Sequence, residues 1–107
     1  MEAKIRADQN VTTLVNILNV ETENQQALVA ALKDGIEAFF SKRPGFISSS
    51  VLTAKDGRQV IIYSQWRSPG DIEAFRQNPN FGPYIQRIAA LAKGEAITCD
   101  VAFVHAS

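Results

Sequence analysis

Phe46-Ile47-Ser48-Ser49-Ser50-Val51-Leu52-Thr53, Ala54-Lys55-Asp56-Gly57-Arg58 and Gln59-Val60-Ile61-Ile62-Tyr63-Ser64-Gln65-Trp66-Arg67 follow one another near the middle of the chain. The outer two stretches are rich in β-branched and aromatic residues. The polar five between them contain Asp-Gly, the strongest short signal for a hairpin. Two antiparallel strands, 46–53 and 59–67, therefore form the centre of the fold. Upstream, Val11 to Val20 has strand composition and ends where Thr22, with Gln25 three residues on, forms a capping-box pattern. Leu28, Leu32 and Ile36 then recur at helical period, Phe39 and Phe40 extend the stripe, and Pro44-Gly45 stops it. Downstream, Ser68-Pro69-Gly70-Asp71 supplies an N-cap serine, a proline at the first helical position and an acid in the first turn. Ile72 and Phe75 give that helix its apolar face. Asn78-Pro79 interrupts it, and Phe81, Ile85, Ile88 and Ala92 resume the period until Lys93-Gly94, a C-cap signal. Ile97 to Val104 is the final strand.

The order β-α-β-β-α-β predicts an α+β domain on the ferredoxin-like plan, a four-stranded antiparallel sheet in the order 4-1-3-2. One domain spans residues 1–107, with its core at about 11–104. Alternation along the strands puts Leu14, Leu18 and Val20 on one face and Val11, Val15 and Ile17 on the other. Likewise Val60, Ile62 and Trp66 oppose Ile61 and Tyr63, and Val101 and Phe103 oppose Ala102 and Val104. Two helices cover one face only. The second apolar face predicts a homodimer closed sheet to sheet.

Composition excludes several function classes. Eleven basic and eleven acidic residues cancel, so no charge footprint points to nucleic acid or an anionic membrane. No apolar run approaches the roughly 20 residues of a membrane span. Met1-Glu2-Ala3-Lys4 leads into a polar stretch unlike a signal peptide, and Cys99 is the only cysteine, so a reducing, cytoplasmic location is expected. His105 is the only histidine. A zinc site needs three or four ligands at short spacing, and no nucleotide-binding glycine loop is present, so neither metal nor cofactor is expected.

Polar residues inside the apolar strands carry more information. Asn16 lies mid-strand on the face of Leu14 and Leu18, although asparagine is depleted in strands. Ser48 and Ser50 interrupt the second strand, and Ser64 stands beside Trp66 on the third. Such residues either satisfy one another as packing groups or line a cavity with a few hydrogen-bonding heads.

The run from Pro44-Gly45-Phe46 through the hairpin to Gln65-Trp66-Arg67-Ser68, followed by Asp71 to Phe75, resembles the antibiotic biosynthesis monooxygenase (ABM) domain. The resemblance implies a dimeric α+β barrel and cofactor-free oxidation of phenols to quinones. It casts Trp66 and Asn16 as donors to a substrate oxygen and Tyr84 as a proton acceptor or orienting group, a poor base at the ordinary tyrosine pKa of about 10 unless a cation such as Arg87 lowers it. Phe46, Phe75 and Phe81 become an aromatic wall, and Ser48, Ser64 and Arg87 complete the substrate-binding set. The expected partners are a small aromatic substrate and dioxygen. The haem-degrading branch needs a histidine on the second helix, where Phe81 to Arg87 has none. The polyketide-tailoring branch shows an asparagine four residues before the tryptophan and a tyrosine six after it; this chain has Ile62 and Ile72. A non-catalytic domain for a small hydrophobic ligand and a cofactor-free isomerase are the alternatives on the same fold.

Overall fold

A computed structural model describes residues 11–106. The N-terminal stretch read for a targeting signal lies outside the described residues. Strands β1 (Thr12–Val20), β2 (Phe46–Thr53), β3 (Gln59–Trp66) and β4 (Ala92–Cys99) form one sheet in the order β2-β3-β1-β4, every neighbouring pair antiparallel. This is the expected ferredoxin-like arrangement. Helix α1 (Gln25–Ala38) joins β1 to β2, and α2 (Pro69–Arg76) and α3 (Phe81–Ala89) join β3 to β4. Asn78-Pro79 falls in the break between α2 and α3. Among the described residues, no helix is long and apolar enough to cross a membrane.

Helices pack on one face of the sheet, and the core there divides in two. Leu18, Val20 and Val60 meet Leu28, Ala31 and Leu32 of α1 and Ile88 of α3. Leu14 and Trp66 meet Phe39, Ile72 and Phe75, with Phe40, Phe46 and Phe81 around them. On the opposite face Val15, Ile17, Ile61 and Tyr63 are half-buried, and Leu52 and Ile97 are exposed.

Three local expectations are corrected. The Thr22/Gln25 capping box does not form: residues 22–24 make a 3-10 turn, and α1 begins at Gln25 with no side-chain cap. The Gln25 amide instead donates to the carbonyls of Ala54 (3.2 Å) and Gln59 (3.1 Å) at the two ends of the hairpin loop. Lys93-Gly94 is not a C-cap either. It lies inside β4, where Gly94 pairs with Leu18 and a Cβ would run into the Ile17 carbonyl. Glycine here marks close approach of two backbones within a strand, not the end of a helix. Consequently β4 starts at Ala92 and ends at Cys99, and Val101 to Val104 lie beyond the sheet, with Phe103 and Val104 exposed.

Gln25 is buried, and its amide adds a second hydrogen bond to each of two carbonyls that already accept from the backbone. Gln25→Ala should lower stability by about 1–3 kcal/mol. Urea denaturation checks this as a lower midpoint at unchanged slope.

Candidate active site

Between the two halves of the core lies a cavity of about 140 Å³. Leu14, Asn16 and Leu18 of β1 and Ile62, Ser64 and Trp66 of β3 make its floor, with Phe46 and Ser49 of β2 and Ala96 of β4. Leu32, Ile36 and Phe40 close it from α1 and the turn that follows, Phe75 and Arg76 from α2, and Tyr84, Ile85 and Ile88 from α3. The register explains the space on the β4 side. Ala92, Gly94, Ala96 and Thr98 pair with Val20, Leu18, Asn16 and Leu14, so the residues of β4 on this face are all small. Ala96 and Ile85 are exposed, which places the mouth there.

The aromatic wall turns on Trp66, which is fully buried. Its ring lies 4.8 Å from Phe75 and 5.3 Å from Phe46, centroid to centroid, and Phe40 packs edge-on at 5.1 Å against both Phe75 and Tyr84. Pairs of this kind add roughly 0.5–1.5 kcal/mol each beyond the area they bury. Helix α2 is held in place by a clasp at its start. The Ser68 hydroxyl accepts from the Asp71 N–H (3.3 Å) and donates to the Asp71 carboxylate (2.9 Å), and Arg67 adds two bonds at 3.0 and 2.9 Å. Arg67 and Ser68 together hold the Asp71 carboxyl below its ordinary range.

Of the residues proposed from sequence, Asn16, Phe46, Ser64, Trp66, Phe75 and Tyr84 all line the cavity. Asn16 and Trp66 share its floor but do not meet, since Asn16 pairs with Ile62 and Trp66 with Thr12. The indole N–H donates to the Ser64 hydroxyl at 3.1 Å, and that hydroxyl donates to the Leu14 carbonyl at 3.2 Å. It reaches a ligand only by giving up this bond. Asn16 and Tyr84 are different: their polar heads have no hydrogen-bond partner among the described residues.

Four assignments change. Ser48 pairs with Gln65 on the far face, because Ile47 is an extra residue between the Phe46–Trp66 and Ser48–Gln65 pairs. This bulge reverses the alternation and presents Ser49 to the cavity instead. Arg87 stays outside, on the exposed surface, 3.4 Å from Asp34. Tyr84 is no proton acceptor, because burial pushes its pKa up to about 12 and the opposing effect of Arg87 is smaller. It is a neutral donor at pH 7. Phe81 stands behind the lining, against Phe75 and Tyr84. The sequence reading passed over Arg76 and the small residues of β4; the alternation Ala92, Gly94, Ala96 was the available signal for the latter.

The family model for antibiotic biosynthesis monooxygenase matches residues 12–87. The chain belongs to this family. The ABM chain is 32% identical over 99 residues to the tetracenomycin-F1 monooxygenase of Streptomyces glaucescens, covering 92% of this chain and 88% of the relative. Its fold is similar to the monooxygenase from ActVA-Orf6 of Streptomyces coelicolor in complex with nanaomycin D, with a TM-score of 0.83, 20% identity, and 94% and 96% of the two chains covered. SnoaB of Streptomyces nogalater, a cofactor-independent oxygenase, aligns with a TM-score of 0.76 at 20% identity over 89% and 96%. In this ABM chain, Ile62 stands four residues before the tryptophan, and Asn16 lies directly across from it on β1. An amide therefore occupies the same level of the cavity from the neighbouring strand.

The raised pKa of Tyr84 has a signed consequence for stability. Below the ordinary value of 10.0 the phenol is protonated in both folded and unfolded chains, so it contributes no pH dependence. As pH climbs from there toward about 12, only the unfolded chain ionises and the fold loses stability. Denaturation midpoints measured across this window should fall more steeply in the wild type than in Tyr84→Phe; equal slopes would contradict the burial.

Proposed function

We propose that the chain is a cofactor-independent monooxygenase that oxidises a small or polycyclic phenol or hydroquinone to a quinone with dioxygen. One observation carries this reading: an aromatic-walled cavity is lined by polar heads, Asn16 and Tyr84 among them, that have no hydrogen-bond partner among the described residues. The named activity of the 32% identical relative supports it. Among the described residues no His, Cys, Asp or Glu lines the cavity, and its donors suit an organic oxygen. A cavity of about 150 Å³ takes up benzene, so the enclosed space fits one ring, and fused rings extend over Ala96 and Ile85.

The phenol loses its proton to solvent at the mouth, and Asn16 and Tyr84 donate to the resulting ring oxygen. This electrostatic role lowers the barrier to forming the anion. The electron-rich ring passes one electron to dioxygen, and the radical pair combines at a ring carbon that carries hydrogen. The hydroperoxide then loses that hydrogen as a proton and breaks its O–O bond. One oxygen atom remains as the new carbonyl and the other leaves as water. Trp66, fixed through Ser64, positions the ring.

Oxygen uptake should saturate with naphthols, hydroquinones or anthrones and should survive chelation and dialysis. Asn16→Ala should reduce kcat by about 10²–10³ while stability changes by no more than about 1 kcal/mol. Tight binding without uptake would favour a ligand-binding domain, and loss on chelation with recovery on one metal would overturn the mechanism.

The same reading places the chain in a homodimer. Val15, Ile17, Ile61, Tyr63, Leu52 and Ile97 share the face that no described helix covers. A second copy is the partner with a matching surface. Sedimentation equilibrium should give twice the chain mass, and Ile61→Glu should give monomer; a wild-type monomer at micromolar concentration would count decisively against it.

A further inference from the structure

Among the described residues, Arg76 is the one charged side chain in the cavity lining, and no described carboxylate lines the cavity to oppose it. It is the last residue of α2, and its side chain is 38% exposed, so the cation is in reach of both solvent and the cavity. Its nearest anion among the described residues is Glu73 at 3.9 Å, itself 63% exposed, a separation that leaves the fork of donors unfilled. Asn16, Ser49 and Tyr84 present further hydrogen-bonding groups to the same space. We propose that Arg76 is a specificity-determining residue that selects aromatic substrates bearing a carboxylate, which its guanidinium holds while the ring lies against Trp66 and Phe75. A planar guanidinium matches a carboxylate with two parallel bonds, which a single phenolic oxygen cannot accept. The proposal deepens the oxygenase reading by naming its substrate class.

A purely structural role for Arg76 is available, since a cation in the last turn suits the helix dipole. That role would change stability and leave ligand preference alone. The two are separated by calorimetric titration with 2-naphthoate, 2-naphthamide and 2-naphthol, none of which requires turnover. The wild type should bind the acid about tenfold more tightly than the amide, the range expected for a half-exposed hydrogen bond to a charged group. Arg76→Gln should abolish that ratio while leaving the amide's affinity unchanged, and Arg76→Lys should retain part of it. Equal binding of acid and amide by the wild type, an unchanged ratio in Arg76→Gln, or no heat with any ligand would overturn the proposal. Naphthol binding as tightly as the acid, in an Arg76-dependent way, would assign the cation to the ring oxygen and overturn it too. An intact acid preference without oxygen uptake on any phenol would sink the oxygenase reading and leave Arg76 in place.

Discussion

Antiparallel pairing of β1 with β3 decides where each polar atom near the cavity can be. With Asn16 opposite Ile62, the strand period sends Leu14, Asn16 and Leu18 to the same face as Ser64, Ile62 and Val60. The two leucines anchor separate halves of the core, and the asparagine falls between them. Neither half can close over an amide that has no hydrogen-bond partner among the described residues, so packing stops on either side of it. The cavity is thus a consequence of register, completed by the small residues that β4 brings alongside.

Around that gap the polar groups differ in freedom. Ser64 is committed on both sides, to the indole above it and the Leu14 carbonyl below. Trp66 is consequently a fixed wall with its polar edge turned inward, which suits positioning better than proton or hydrogen-bond traffic. Tyr84 is pressed toward α1, where a Cβ on Gly35 would collide with its ring. That seat buries the phenol and keeps its proton on. The described lining therefore offers donors but no carboxylate or histidine to take a proton at neutral pH, which is why the proposed mechanism sends the phenol's proton to solvent.

Much of this was legible in the chain. Asp56-Gly57 between two β-branched runs gives the central hairpin, and Ser68, Pro69 and Asp71 give the start of α2, because both signals are local and short-range geometry enforces them. Asn16 stood out because a strand seldom carries an amide without a use. The errors share a different cause. Gln25 looked like half of a capping box, yet its amide finds carbonyls of the hairpin loop, which sequence spacing cannot anticipate. Ser48 was displaced by a one-residue bulge, and Gly94 serves a contact with a strand more than seventy positions upstream. Arg76 resembles any terminal helix cation until α2 is seen beside the cavity. In each case the deciding partner is distant in sequence.

The run of small side chains on β4 bears on how such a protein can change over time. Ala96 is exposed, belongs to neither half of the core and yet forms part of the cavity's boundary. A larger residue there would narrow the chamber without disturbing the contacts on which folding depends, whereas enlarging it from the Trp66 side would dismantle the aromatic cluster. Ligand size and stability are therefore governed by separate strands. A lineage built on this architecture can drift between small and bulky ligands through one edge, with its foldedness insulated from the search.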